Sequence, residues 1–464
     1  MLFLNPHLPI FIRAVLIAST APTALRGEEE PSPVSFRTTI APLLLAQCQG
    51  CHGAETAKAD YRVDSYTELM RAADGEPPRV RPGQPTASLL HELLVTLEEE
   101  DRMPQQSVPI KPRQIELIRR WIAEGARFDG EAPSTPLVRL IPVRQHEPAP
   151  EKYPRPLPVT ALAFSPDGTR LAAAGLREIT LWNPANGRLL QRIPNMAQRI
   201  LALAWSPDGS QLVAAGGIPG ELGEVRVFDP STGALLAVLH RAADVAFEVQ
   251  FDPDGATLAV ADAENRIALY SPADFSRFRL IDNHAGWVMA LAWSPDGKYL
   301  VSASRDKTAK IIEAKSGAAI STYGGHHDEV FGVAFRADGQ QVFSAGRDGK
   351  IHVWKAGLAD TTGKRFGAEK VAELGGQGRS TVRLCMAGDH LFSAAGEGQV
   401  RQYDVVRRQP LREFGEPGDW VMALAHDPFG SRLAAGGHDG MVQVWNTQTG
   451  ERLADFMASP GWGR

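Results

Sequence analysis

Two hydrophobic rhythms divide the chain. From about residue 159 to 460, short apolar stretches recur between near-identical turns. Phe164-Ser165-Pro166-Asp167-Gly168 returns as Trp205-Ser206-Pro207-Asp208-Gly209, as Phe251-Asp252-Pro253-Asp254-Gly255 and as Trp293-Ser294-Pro295-Asp296-Gly297. Weaker copies are Phe335-Arg336-Ala337-Asp338-Gly339 and His426-Asp427-Pro428-Phe429-Gly430, and a degenerate one near Met386-Ala387-Gly388-Asp389 fills the gap between them. The period, about 41 to 50 residues, suits a unit of four strands. In each unit an apolar strand leads to the turn, and a small-residue strand such as Leu171-Ala172-Ala173-Ala174 follows. Next comes an aromatic-ended strand such as Ile351-His352-Val353-Trp354. A glycine turn such as Asn186-Gly187 or Thr449-Gly450 then introduces an outer strand. Small residues near an axis and bulky ones outside fit a wedge-shaped sheet.

The rhythm before residue 130 is helical. Ile115, Ile118 and Ile122 share one helix face, flanked by Leu117 and Trp121, with Pro112 just before the helix and Gly125 ending it. Ser35 to Leu45 reads as a second amphipathic helix that Ser35 can cap, with a kink or late start at Pro42. This helix runs into Cys48-Gln49-Gly50-Cys51-His52, a C-x-x-C-H sequence. Two thiols one helical turn apart can form thioethers to the two vinyl groups of one porphyrin, and the adjacent imidazole can reach its iron. A disulfide between Cys48 and Cys51 is the competing reading, which His52 disfavours.

These residues, with Lys58 to Asp64, Pro82-Gly83-Gln84-Pro85, Ser88-Leu89-Leu90 and Arg102-Met103-Pro104, resemble a small class I cytochrome c of the planctomycete type. The resemblance implies one covalent haem c on Cys48 and Cys51, His52 as proximal iron ligand and Met103 as distal ligand. A thioether ligand raises the reduction potential relative to a second imidazole. His91, within Leu89-Leu90-His91-Glu92-Leu93-Leu94, is the rival ligand, and Met70 reads as core packing. Class I cytochromes often place a proline soon after the motif to orient the proximal imidazole. The next proline here is Pro77, so the partner of His52 is unassigned.

The repeats resemble the WD-repeat propeller family, with about seven blades. Trp182-Asn183, Phe228-Asp229, Tyr403-Asp404 and Trp445-Asn446 match its strand endings, and Gly325-His326 its Gly-His pair. Asp306, Asp348 and Asp439 sit where the family's turn aspartate bonds that histidine. His326, Asp348, Ser344 and Trp354 are positioned for its buried hydrogen-bond chain, a structural role. Leu201, Phe247, Met289, Phe331, Val382 and Met422 align at one inner-strand position, with Trp287 and Trp420 two residues before Met289 and Met422. Arg305, Arg347 and His438 precede the turn aspartates. Trp287, Met289, Arg305, Phe331, Arg347, Trp420, Met422 and His438 are therefore the candidate partner-binding residues, since aromatics and arginine are enriched in hot spots. The alternative is that they plug the channel mouth. Leu137-Val138-Arg139-Leu140-Ile141 is a spare candidate for a closing strand, and Cys385 reads as a small buried thiol.

The fold class is thus multidomain, a small all-α cytochrome c domain followed by an all-β seven-bladed propeller. Residues 34–130 form the first, 131–158 a proline-rich linker that is stiff and extended over Pro148 to Pro158, and 159–460 the second. Arg13 followed by the apolar run Ala14-Val15-Leu16-Ile17-Ala18 reads as a signal peptide over 1–27, with an acidic spacer at 28–33. An uncleaved membrane anchor is its alternative. Export and C-x-x-C-H support each other, because haem c is attached outside the cytoplasm. The 464 residues carry a net charge near −5 and no basic stripe, which gives no reason to expect nucleic acid. The reading is an exported, periplasmic or cell-envelope electron carrier with a redox partner protein, not an independent enzyme. A haem enzyme or ligand sensor with a weakly held sixth ligand, and a scaffold with structural haem, are the alternatives.

Overall fold

Among the described residues, five short α-helices precede seven four-stranded antiparallel sheets. The computed structural model describes residues 32–53, 57–72, 78–105, 109–358, 367–375, 380–396, 398–415, 419–428 and 430–462. The candidate signal peptide lies outside them. Residues from Val34 onward form one compact unit.

The helices are α1 (Ala41–Gln47), α2 (Tyr66–Met70), α3 (Leu89–Val95), α4 (Pro112–Ala123) and α5 (Leu137–Leu140). Ser35 caps the first helical segment, its side chain accepting from Thr38 N–H. The irregularity expected at Pro42 is a wide π-helical stretch, Phe36–Ile40, that passes directly into α1. Pro42 has no N–H to give the helix, so its first turn is where it is tolerated. Phe36 lies at the centre of the core, against Tyr66, Trp121 and Phe128. Trp121 donates its indole N–H to Arg127 O. The Pro82–Pro85 loop is tied to the end of α4 through Gly83 N–H to Ile122 O, with Gly83 at φ +76°.

Each sheet pairs its four strands in chain order, over residues 162–193, 199–242, 246–281, 288–323, 330–374, 381–414 and 421–457. These are blades one to seven. Every blade takes all four strands from one continuous stretch, so no strand from the helical region closes the ring. The repeated turn has a local cause. Ser165 Oγ donates to Asp167 and accepts from Arg170 N–H, while Gly168 takes the positive φ that a side chain would resist. In blade six the degenerate copy is a tight turn at Gly388-Asp389, between paired Ala387 and His390.

One expectation about the connection is corrected. Leu137–Leu140 is a helix, not a strand: Leu137, Leu140 and Ile141 pack in the helical core, while Val138 packs on blades two and three. The segment that follows is extended and is held along its length. Fully buried Arg226 donates to Arg144 O and Asn195 O and pairs with Glu224 at 3.0 Å, and Glu224 also holds His146. Buried Tyr153 donates to Glu178, accepts from Leu176 N–H and bonds Pro460 O through its own N–H. Proline and extended backbone here serve a strap laid along blades two and one.

The helical region also touches blade three. Leu45 packs with Val138, Tyr270 and Phe275, and the Arg277 guanidinium donates to Ala46 O. A Cβ on Gly50 would overlap the Arg277 carbonyl oxygen, so this glycine permits the close approach.

Candidate cofactor site and channel mouth

Beyond α1 the chain makes one further helical turn. Cys48 N–H bonds Leu44 O, and His52 N–H bonds Cys48 O, which turns Cys48, Cys51 and His52 toward one cavity. The cavity measures about 350 Å³, within the range of cofactor pockets. Leu89, Leu90, Leu93 and Leu94 of α3, with Tyr61, Val63 and Ile110, give it apolar walls. Met103 lines it too, anchored by its N–H to Leu93 O at 2.8 Å. The four residues singled out around C-x-x-C-H thus converge on one space. His91 does not line it. That side chain is buried, and the Arg119 and Glu116 charges of α4 act on it. Met70 packs at the margin of the helical core, as expected.

The partner of His52 is now assigned. Its Nδ1 lies 3.1 Å from both Lys58 O and Tyr61 O. Both partners are acceptors, so Nδ1 carries the proton and Nε2 keeps its lone pair. Burial lowers the imidazole's pKa, against the opposing pull of those two carbonyls, and the Lys58 and Arg79 charges lower it further. A neutral, oriented imidazole is the form that binds a metal. Burial, with a smaller contribution from Cys51, raises the Cys48 thiol to about 12. All three cysteines are free. The residues present suit a haem: a large apolar slot, two thiols, one imidazole with Nε2 available and one thioether.

In the propeller, Leu201, Phe247, Met289, Phe331, Val382 and Met422 share a structural property that their alignment did not announce. Each is the extra residue of a bulge in an innermost strand. A bulge re-aims its side chain and bends the strand, here at the channel mouth. Trp287 is 36 % exposed and Trp420 58 %. Trp287 lies against Phe247, at 5.3 Å between centroids, and under the Arg305 guanidinium at 4.6 Å. Glu329 bridges Arg305 and Arg347 at 2.7 and 3.3 Å. His438 faces Asp419 at 3.3 Å and bonds Trp420 O through its N–H. The face therefore has two clusters, one on blades three to five and one on blade seven.

The blade-five chain forms as expected. His326 reaches Asp348 at 2.9 Å and Ser344 at 2.8 Å, and the Trp354 indole N–H donates to Ser344 at 3.0 Å. His352 stacks on His326, so His326, Asp348 and His352 form a cluster with metal-ligand spacing that the sequence reading did not single out. The ring nitrogens of both histidines already meet Asp348, Ser344, Tyr323 or Lys370. A second chain, His284 with Asp306 and Ser302, was missed because an asparagine precedes His284 in place of the usual glycine. Asp439 accepts from Met441 N–H instead of a histidine.

Glu248 and Arg383 were also missed. Both line the central channel, at the position after the bulge that holds Ala202, Ala290, Gly332 and Ala423 in other blades. That break in an Ala/Gly column was the available signal. Burial raises Glu248 to about 7 against the pull of Arg383.

Comparison with known families agrees with this geometry. Residues 48–107 match the planctomycete cytochrome C family, and 153–183, 276–313, 317–355 and 408–446 match the WD domain, G-beta repeat family. The chain is a planctomycete-type cytochrome c module joined to a WD-repeat propeller. The cytochrome match implies haem binding, and the WD propeller suggests protein–protein interaction. A stretch of 70 residues is 39 % identical to periodic tryptophan protein 2 homolog of Dictyostelium discoideum, over 15 % of this chain and 8 % of that protein. The chain thus spans a small fraction of that relative. Among the described residues no helix is long and apolar enough to cross a membrane.

Proposed function

We propose that this protein is an exported one-electron carrier. Cys48 and Cys51 would hold one haem c covalently, with His52 and Met103 as iron ligands. The carrying observation is the single apolar cavity on which these four side chains converge. Haem c supplies a one-electron iron couple. The protein's own residues do the rest. Lys58 O and Tyr61 O hold the His52 tautomer, the α3 leucines keep water from the cavity, and Leu93 O fixes the Met103 backbone.

The channel mouth would receive the partner protein, through Trp287, Met289, Arg305, Phe331 and Arg347 on one side and Trp420, Met422 and His438 on the other. The apolar run before residue 26 and the need to attach haem c outside the cytoplasm support export, to the periplasm or cell envelope. A redox titration of the full chain tests the proposal. The expected curve has one-electron slope, and Met103→Ala removes the ferric thioether-to-iron band and lowers the potential. A spectrum unchanged in Met103→Ala would remove Met103 from the ligand set.

A further inference from the structure

Blade six breaks the repeat at the end of the sheet away from the channel-mouth residues. In blades one to four the proline of each Pro-Asp-Gly turn packs against the glycine of the next turn. A Cβ on Gly209, Gly255, Gly297 or Gly339 would meet the ring of Pro166, Pro207, Pro253 or Pro295 at 3.0 to 3.8 Å. The turn spans Ser165 to Arg170 in blade one but only Gly388 and Asp389 in blade six. A Cβ on Gly388 would meet nothing within 4 Å. The belt of turns is open here, and a cavity of about 600 Å³ lies between blades six and seven.

Two residues that line this cavity interrupt apolar columns of the repeat. Gln402 stands where the other blades carry Leu181, Val227, Leu269, Ile311, Val353 and Val444, all buried. His426 stands where blades one to five carry Phe or Trp. Gln402 is 5 % exposed, and among the described residues its amide has no hydrogen-bond partner. The same holds for the ring nitrogens of His426 and of His390, which also lines the cavity. A buried amide without a partner is costly, so Gln402 marks a place where a ligand supplies one. Strand pairing sets Phe392, Gln402 and Arg412 side by side, and Phe392 stacks on His426 at 5.5 Å between centroids. Arg412 donates to Thr447 O at 3.0 Å through one nitrogen, which holds the guanidinium at the cavity wall. The acids beside it are paired, Asp427 with Arg432 and Asp404 with Arg407 at 3.3 Å.

We propose that this cavity binds a small aromatic carboxylate, with its ring on Phe392 and Met386 and its carboxylate on Arg412 and the Gln402 amide. A guanidinium and an amide both donate N–H groups, and a carboxylate accepts them. Phe392, Met386 and Leu411 offer the apolar surface that a ring needs. The Arg412 charge opposes a metal cation at the two imidazoles. The site stands independently of the haem reading.

Isothermal titration of the full chain tests it, with benzoate, phenol, inorganic phosphate and Zn²⁺ as probes. Benzoate should bind at one site, and about tenfold more weakly in Gln402→Leu and in Arg412→Gln. Gln402→Leu restores the residue type of the other blades, so its urea midpoint should not fall. Phenol lacks the carboxylate and phosphate lacks the ring, and each should bind about tenfold more weakly than benzoate. A wild type that does not bind benzoate, or benzoate binding unchanged in either variant, overturns the assignment. Phenol or phosphate binding as tightly as benzoate, or saturation by Zn²⁺ alone, overturns it as well.

Discussion

Ser344 is the hinge of the blade-five hydrogen-bond chain, and its removal has a cost that the geometry fixes. Trp354 N–H donates to Ser344 Oγ, Ser344 O–H donates to His326 Nε2, and His326 Nδ1–H donates to Asp348. Ser344 and Trp354 are fully buried and His326 is 4 % exposed. Ser344→Ala therefore strands one donor and one acceptor out of reach of water. Each stranded buried group costs about 1–3 kcal/mol, so the total for the two should be about 2–6 kcal/mol. Blade four supplies an internal control. Ser302 serves His284 at 2.7 Å, but the position of Trp354 is held by Ile312, which has no N–H. Ser302→Ala strands one group, for about 1–3 kcal/mol. The difference between the variants isolates the indole. Both chains brace the channel mouth, since Asp306 also accepts from Ala285 N–H while Arg305 N–H bonds Trp287 O. Native-state hydrogen exchange, read separately for the amides of blades four and five, measures the local opening free energies. Equal losses in the two variants, or a Ser344→Ala loss below about 1 kcal/mol, would refute the reasoning.

Other consequences are as direct. Gly50→Val should push the C-x-x-C-H turn off the Arg277 carbonyl and speed proteolysis of the strap at residues 142–152, with haem content unchanged; an unaltered cleavage rate would argue against this contact. Glu248, raised to about 7 in the folded chain, keeps its proton there while the unfolded chain loses it near the ordinary 4.5. Stability from this group is full below pH 4.5, falls as pH rises toward about 7 and does not return above it. Glu248→Gln should abolish about 1–2 kcal/mol of that fall, a value discounted for water in the channel. Parallel urea-midpoint curves for wild type and variant from pH 4 to 8 would contradict it. Replacing Trp287 and Trp420 together by alanine should weaken association with co-purifying partners; unchanged retention would show that these rings only plug the channel mouth.

Local chemistry was the legible part of the sequence. C-x-x-C-H, Pro112 and Gly125 around α4, and the Ser-Pro-Asp-Gly turns all act within a few residues, so their spacing carries their structure. The Leu137–Leu140 run failed because a short apolar stretch suits a strand or a buried helix equally, and only the core around it decides. The contacts that hold the strap were not legible for another reason. Arg226 and Tyr153 meet partners 82 and 25 residues away at Arg144 and Glu178, and no local pattern announces such pairs. In the cavity, the ligand candidates stood out by type, while the Lys58 and Tyr61 carbonyls that hold His52 belong to the backbone and carry no mark in the sequence.

The central claim is that Cys48 and Cys51 carry one covalent haem. The direct measurement is haem per chain after denaturing electrophoresis, quantified as the pyridine haemochrome, on protein produced in a host that matures c-type cytochromes. The account predicts one haem that survives denaturation and is lost in Cys48→Ser/Cys51→Ser. A wild-type chain that matures without haem, or releases it on denaturation, would contradict the account.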